Sequence, residues 1–151
     1  MIKTLTTPDI EEVLSSEYIG RIGFSDKDRM FILPVTYCYD KESLSILGHS
    51  CKGTKIDIMR NNPEVCFQVD NIRDFSDWKS VLAWGVYEEL KGSDARNAVH
   101  TLVTRVKELV NDDKHPHVQF LNDISKTGAH SENTIIYRIR LSEFTGKYED
   151  E

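Results

Sequence analysis

The segment LSILGHSCKGTKIDIMRNN, residues 44–62, changes its hydrophobic period within one short stretch. Residues 44–47 alternate apolar and polar side chains, which predicts a strand, whereas from Thr54 onward the apolar residues recur at helical spacing. The polar residues 49–53 between them predict a loop. The expected order is therefore strand, polar loop, helix, and we interpret the rest of the chain around it.

The start of this predicted helix has the features of an anion site. Backbone N–H groups in the first turn of a helix lack intrahelical acceptors and lie at the positive end of the helix dipole. Lys52, Thr54 and Lys55 add two cations and a hydroxyl. A single glycine, Gly53, distinguishes the segment from dinucleotide-binding and P-loop motifs, which contain more glycines. The spacing alone fits a phosphate site and an ordinary turn with solvated lysines equally well.

Length and charge exclude several classes of protein. The 151 residues predict one domain, residues 1–151, and the net charge of −6 argues against a general binder of nucleic acid or membrane surfaces. No apolar run is long enough to span a bilayer, and the N-terminal residues lack the apolar core of a signal peptide. We therefore expect a cytoplasmic location.

The cysteines and histidines do not form a recognisable metal or disulfide motif. The three cysteines are Cys38, Cys51 and Cys66, and none belongs to a CxxC pair. We expect Cys38 and Cys66 in the core and Cys51 in the polar loop. The three clustered histidines are His115, His117 and His130. Because no carboxylate or cysteine accompanies them at ligand spacing, we predict no metal site.

Short strands joined mostly by tight turns predict a mainly β protein. Thr7 as cap and Pro8 begin a first helix, and Ser93 caps a long helix over residues 93–110. Strands are predicted over residues 17–25, 30–39, 44–47, 65–69, 78–90 and 135–141. Pro34 cannot donate to a sheet ladder, so it marks an edge, a bulge or a break that faces a ligand. Residues 71–77 are expected to form a polar connection, and residues 111–133 a long loop that is a candidate lid. About six strands and three helices favour a closed or nearly closed antiparallel barrel with helices outside it.

Several local motifs occur in an order that resembles one known family. They are GRIGF at 20–24, PV at 34–35, GHS at 48–50, GTK at 53–55, NPEV at 62–65, WKSV at 78–81, YRI at 137–139 and TGK at 145–147. From about residue 14 to residue 146 the chain resembles the FMN-binding split barrels related to pyridoxamine 5'-phosphate oxidase, especially the branch with nitroimidazole-resistance proteins. The resemblance implies a six-stranded antiparallel split β-barrel with outer helices, and FMN as cofactor.

The resemblance also implies a site and a homodimer with the cofactor at the subunit interface. The implied flavin-binding residues are Leu33, Pro34, Val35, Thr36, Tyr37, Gly48, His49, Ser50, Lys52, Thr54, Lys55, Ser80, Trp84 and Tyr137. Within this set, residues 33–37 lie beside the ring and Lys55 binds the phosphate. Ser80 reaches the polar edge of the flavin, and Trp84 and Tyr137 meet the cofactor or the partner subunit. Thr54 stands where the oxidase has an arginine, so the resemblance implies either a weaker affinity or compensation by Lys52.

Two kinds of function follow from this resemblance. The first is an FMN-dependent oxidoreductase or reductase of small aromatic or heterocyclic compounds, with a reduced nicotinamide nucleotide as electron donor. His49 is the candidate proton donor, because histidine titrates near neutrality. The second is a flavin-binding, flavin-storage or redox-sensing protein without turnover, or a related barrel that binds haem or a deazaflavin. Oxidation of pyridoxamine phosphate itself is disfavoured, because residues 147–151 are mainly acidic where that enzyme has a basic segment.

Overall fold

Antiparallel strands and three helices make up most of the residues that the computed structural model describes, which are 1–111, 114–116, 118–119, 122–123 and 133–150. The strands are β1 (Lys3–Thr4), β2 (Ile19–Asp26), β3 (Arg29–Asp40), β4 (Ser45–Cys51), β5 (Glu64–Asp74), β6 (Asp77–Leu90) and β7 (Thr134–Glu149). The helices are α1 (Thr7–Ser16), α2 (Thr54–Asn61) and α3 (Gly92–Val110). No helix of this described part is long and apolar enough to cross a membrane.

Six of the strands close into a ring. The order is β7, β4, β3, β2, β5 and β6, and β6 pairs again with β7. The strand β1 lies outside this ring and pairs only with the end of β7, at Lys3↔Tyr148 and Thr4↔Lys147. The predicted mainly β antiparallel fold with outer helices is confirmed. The seventh strand was not predicted, because two exposed polar residues carry no alternating pattern.

The ring is split between β3 and β4. These strands pair only from Tyr37↔Gly48 to Asp40↔Ser45. From Thr36 back to Arg29, β3 pairs with β2. From His49 to Cys51, β4 leaves β3 and pairs with β7 as far as Cys51↔Thr134. One half of β3 therefore has a strand neighbour on one side only, among the described residues.

The interior of the ring is filled by aromatic and aliphatic side chains and closed by two helices. Tyr37, Phe67 and Tyr137 are almost fully buried there, and the Tyr37 and Phe67 rings meet edge to face with centroids 4.8 Å apart. Helix α1 contributes Leu14, whose carbonyl accepts a 2.8 Å hydrogen bond from the Tyr37 hydroxyl. Helix α2 contributes Ile56, which is fully buried. The helices thus close the ring because their apolar faces complete its core.

Helix α3 packs on the outside of the ring against β3, β4 and β7. Its buried residues are Ala95, Ala98, Val99, Leu102, Val103 and Val106, and they cover Cys38, Leu47 and Ile136. Burial there raises the pKa of the Cys38 thiol to about 12, so Cys38 is the core residue that the sequence predicts. The same prediction for Cys66 is wrong: Cys66 is half-buried and faces outward, because its neighbours Val65 and Phe67 occupy the inner positions of β5.

Two predicted helix caps are also wrong. The cap of α1 is Thr6, whose hydroxyl accepts a 3.3 Å hydrogen bond from the Asp9 N–H, and Thr7 is the first helical residue. The cap of α3 is Lys91, with no side-chain hydrogen bond, so Ser93 lies inside the helix. Both errors shift a boundary by one or two residues, which is the least certain part of a pattern-based assignment.

Two predicted loops differ from the structure, and a third lies mostly outside the described residues. Residues 49–51 belong to β4, because β7 pairs with them, so the predicted loop 49–53 shortens to Lys52 and Gly53. The polar residues 71–74 extend β5, and β6 begins at Asp77, because these two strands pair almost to their shared turn. Most of the predicted loop 111–133, with His117 and His130, lies outside the described residues, although Val118 is buried against α3.

Candidate functional site

The split leaves an open edge on β3. The Tyr37 N–H donates to the Tyr18 carbonyl at 2.9 Å, so this residue directs its main chain towards β2. Main-chain N–H and C=O groups alternate in direction along a strand. Those of Ile32, Pro34 and Thr36 therefore point towards the open side. Proline has no backbone N–H, so Pro34 leaves no unpaired donor at this edge. The free edge therefore presents the carbonyls of these three residues and the N–H groups of Ile32 and Thr36.

The C-terminal end of β4 forms the opposite side of the split. Leu47 packs against α3 and Ile46 into the ring, so by alternation His49 faces outward and Ser50 inward. Tyr37↔Gly48 is the last paired position, which makes Thr36 and His49 the first outward-facing residues beyond it. The structure thus brings the predicted residues Thr36 and His49 to the two sides of one gap.

The N-terminus of α2 follows directly from this gap. Gly53 is its cap residue, in an extended conformation, and no side chain hydrogen-bonds the cap. A Cβ atom at Gly53 would meet nothing within 4 Å. The first intrahelical bond runs from the Asp57 N–H to the Gly53 carbonyl at 3.1 Å. Glycine has no side chain, so the cap residue itself does not occupy the first-turn N–H groups. Lys52 and Thr54 are exposed and Lys55 is half-buried beside them.

An ion pair fixes α2 against the ring. The Arg60 guanidinium donates to both carboxylate oxygens of Glu89 on β6, from Nε at 2.6 Å and from Nη2 at 2.8 Å. The Tyr87 hydroxyl donates to the same carboxylate at 3.2 Å. The hydrogen bond from Arg60 holds the pKa of Glu89 below its usual value. A bidentate pair of this kind fixes orientation as well as distance, so the helix N-terminus has a defined position relative to the split.

A broad apolar surface adjoins the split on the outside of the ring. Its exposed side chains are Met30 and Ile32 on β3 and Leu82, Trp84 and Val86 on β6. A groove of about 550 Å³ crosses this surface from Met30 to Trp84 and passes Cys66. Met30 also borders a second depression that is lined by Thr54 and Ile58 of α2. The apolar face and the helix N-terminus are therefore parts of one continuous surface.

Ser80 belongs to a polar cluster on the same outer face. The sequence did not predict this cluster. The Gln68 side-chain nitrogen donates to Ser80 Oγ at 3.1 Å and to an Asp70 carboxylate oxygen at 2.9 Å. The Arg21 guanidinium lies 3.5 Å from the other oxygen of Asp70. Arg21 is the register partner of Pro34 on β3, so the cluster connects Ser80 to the open edge. No local motif reveals it, because its members come from three strands.

Other predicted residues lie inside the ring. Leu33 and Val35 pack against the core and the Tyr37 and Tyr137 side chains are buried in it, so all four side chains face the interior of the ring. Gly48 contacts Tyr137: a Cβ at Gly48 would lie 2.5 Å from its hydroxyl. Gly48 and Tyr137 therefore support the site by packing.

The family follows from comparison with known proteins. Residues 6–148 match the model of the pyridoxamine 5'-phosphate oxidase family, and the chain belongs to that family. A relative, uncharacterized protein RA0666 of Rhizobium meliloti (strain 1021), is 30% identical over 89 residues. This match spans 59% of the present chain and 58% of the relative.

Solved structures show the same fold at low sequence identity. An FAD-binding protein from Mesorhizobium loti (mll6688) is 24% identical, with 99% of each chain covered and a TM-score of 0.68. The FAD-binding protein from Mycobacterium smegmatis is 18% identical over 98% of this chain and 99% of the other, with a TM-score of 0.64. A candidate 5-nitroimidazole antibiotic resistance protein from Bacteroides thetaiotaomicron VPI-5482 is 16% identical over 100% and 93%, with a TM-score of 0.70. The resemblance to this family that the sequence motifs indicate is thereby confirmed.

Proposed function

We propose that the protein binds FMN in the split between β3 and β4. The observation that carries this proposal is the open edge of β3 beside the uncapped N-terminus of α2. First-turn N–H groups, the Thr54 hydroxyl and the Lys55 ammonium suit a terminal phosphate, with Lys52 nearby. The main chain at Pro34 and Thr36 suits the polar edge of a flat heterocycle, which pairs with backbone donors and acceptors. Family membership and the two FAD-binding neighbours support a flavin.

The proposed assembly is a homodimer that encloses the cofactor between subunits. The apolar outer face supports this, because a monomer rarely leaves several large apolar side chains together in water. Met30 is 82% and Ile32 is 73% exposed, and both adjoin the open edge. A second copy on this face would cover them and shield the flavin ring from solvent.

The proposed activity is transfer of reducing equivalents from a reduced nicotinamide nucleotide to small aromatic or heterocyclic compounds. A bound flavin supplies the redox chemistry, while the chain orients it and controls access. Pro34 and Thr36 would fix the ring, and Trp84 would pack against the partner subunit beside it. We propose His49, on the opposite side of the split, as the group that donates a proton to the substrate during its reduction.

The absorption spectrum of the purified protein tests the cofactor. We expect a flavin spectrum and the mass of FMN in material released by heating, and titration with FMN and FAD separates the two flavins. Bleaching by a reduced nicotinamide nucleotide, followed by reoxidation with an added nitroaromatic compound, would support the oxidoreductase. A bound flavin that no donor reduces would instead indicate a binding or storage protein, and a haem or deazaflavin spectrum would refute the FMN proposal.

Lys55→Ala is expected to weaken FMN binding by about 1–3 kcal/mol, or about 5- to 150-fold, because one charge-assisted hydrogen bond to phosphate is lost. Titration monitored by flavin fluorescence measures this change. Lys41→Ala, in the exposed turn between β3 and β4, removes the same charge away from the site and serves as control. Equal dissociation constants for the two variants would place the phosphate elsewhere.

Gly53→Asp is expected to weaken FMN binding by about tenfold or more without loss of stability. The new carboxylate would cap α2, which stabilises a helix by a few tenths of a kcal/mol relative to glycine, and it would repel the phosphate from the same N–H groups. Gly53→Ala leaves the cap empty, and its Cβ has open space, so this control should bind FMN normally. The site would be refuted if both variants bound FMN alike while thermal unfolding showed both to be folded.

A further inference from the structure

Four tyrosines are buried in the ring, and the hydroxyl of one of them lacks a hydrogen bond. The hydroxyls of Tyr37, Tyr39 and Tyr87 donate to a carbonyl or carboxylate oxygen at 2.8 Å, 3.1 Å and 3.2 Å, respectively. The Tyr137 hydroxyl makes no hydrogen bond within the part of the chain that the structure describes, although Tyr137 is only 2% exposed. Buried polar groups are normally paired, so this hydroxyl is an unused hydrogen-bonding group.

The Tyr137 hydroxyl lies at the point where the split begins. Gly48 is the last residue of β4 that pairs with β3, opposite Tyr37, and on its other side it pairs with Tyr137. A Cβ atom at Gly48 would lie 2.5 Å from the Tyr137 hydroxyl oxygen, so glycine at this position leaves the space that the hydroxyl occupies. The next residue of β4, His49, is one strand position or about 3.3 Å further on and already borders the split.

This hydroxyl oxygen is open to small molecules. In the described part of the chain, every side-chain nitrogen or oxygen atom that is cut off from solvent, in a buried or half-buried residue, has a hydrogen-bond partner. The Tyr137 oxygen has no such partner, so it is not cut off. The split is the opening beside Gly48, and a ligand in the split can therefore reach the hydroxyl from the inner side of the ring.

The protonation state of Tyr137 decides what it offers to a ligand. Burial raises the pKa of Tyr137 above its ordinary value, so the hydroxyl stays protonated at neutral pH. A protonated phenol donates one hydrogen bond. Tyr137 therefore presents a donor to a ligand oxygen or nitrogen atom, and FMN carries such acceptors on its ring and on its ribityl chain.

We propose that the Tyr137 hydroxyl donates a hydrogen bond to an acceptor atom of FMN that enters the split beside Gly48. This inference rests on the proposed FMN site. It makes Tyr137 a ligand-binding residue as well as a packing residue. The unpaired hydroxyl destabilises the flavin-free protein, and the bound flavin supplies the missing acceptor.

Tyr137→Phe tests the proposal, because it removes only the hydroxyl. We expect the dissociation constant of FMN to rise about 3- to 10-fold, the range for one hydrogen bond between uncharged groups. The midpoint of thermal unfolding without flavin is expected to stay equal or to rise, because the substitution breaks no hydrogen bond of the described chain and removes a buried polar group. Flavin fluorescence titration measures the affinity, and circular dichroism on the same flavin-free preparation measures the unfolding.

Tyr39→Phe is the matched control. Tyr39 is also buried in the ring, at 6% exposed, but its hydroxyl donates to a Glu11 carboxylate oxygen at 3.1 Å. We expect this variant to unfold at a lower temperature, because it loses that hydrogen bond. It should bind FMN like the unaltered protein, which is the reverse of the result expected for Tyr137→Phe.

Three outcomes would overturn the contact while the flavin site stands. An unchanged FMN dissociation constant for Tyr137→Phe would assign the hydroxyl to water instead of flavin. A loss of thermal stability in Tyr137→Phe equal to that in Tyr39→Phe would mean that the hydroxyl has a partner within the chain. An equal loss of FMN affinity in both variants would mean that both act through the fold. If the unaltered folded protein binds no FMN, the proposed site itself fails, and this contact fails with it.

Discussion

Trp84→Glu is expected to convert the proposed dimer into a monomer and to abolish FMN binding at micromolar flavin. Trp84 is 38% exposed on the outer face of β6, in the groove that also contains Met30. In the proposed dimer this surface is covered, so the substitution would bury an unpaired carboxylate, at a cost on the order of 3–5 kcal/mol. Sedimentation velocity measures the assembly state, and flavin titration on the same samples measures binding.

Leu44→Glu is the matched control for the dimer. Leu44 is also a large exposed apolar residue, at 48%, but it lies in the turn between β3 and β4. We expect this variant to stay dimeric and to bind FMN like the unaltered protein. A Trp84→Glu protein that sediments as a dimer and keeps its flavin would show that the outer face of β6 is not the interface.

Leu14→Ala is expected to lower the free energy of unfolding by about 2–5 kcal/mol, the usual range for emptying a filled core position. Leu14 has no exposed surface and closes one end of the ring from α1. Its carbonyl also anchors the Tyr37 hydroxyl, so a retracted helix would disturb the strand that borders the split. Urea unfolding followed by circular dichroism gives the magnitude.

Ile2→Ala provides the comparison for this core substitution. Ile2 is 59% exposed and precedes β1, and we expect its truncation to change stability by less than about 0.5 kcal/mol. A loss below about 1 kcal/mol for Leu14→Ala would mean that α1 does not complete the core. The inward position of Leu14 would then be unimportant for the fold.

The sequence predicts the strands of this fold because alternation is a local property. Tyr37 and Tyr39 alternate with Thr36 and Cys38, and this pattern identifies an extended segment without knowledge of its partners. The end of β4 could not be predicted in this way. His49, Ser50 and Cys51 remain extended because β7, more than eighty residues later, pairs with them. Long-range pairing overrides the polar composition of such a segment.

The candidate site shows the same division. Lys52, Thr54 and Lys55 were predicted because a helix start is visible in consecutive residues. The open edge of β3 could not be predicted, since it depends on where β4 leaves β3. The polar cluster from Arg21 to Ser80 depends on the register of three strands, and no spacing in the sequence encodes that register. The sequence thus identified the start of α2, while the polar cluster from Arg21 to Ser80 required the structure.

The position of β7 in the ring has a consequence for synthesis on the ribosome. Residues 134–149 pair with both β4 and β6, and these pairings close the ring. Until they leave the exit tunnel, the nascent chain carries β4 and β6 with one unpaired edge each, and such edges invite pairing with other chains. Until residues 134–149 have left the exit tunnel the ring therefore cannot close, and the open edges of β4 and β6 stay available to other chains.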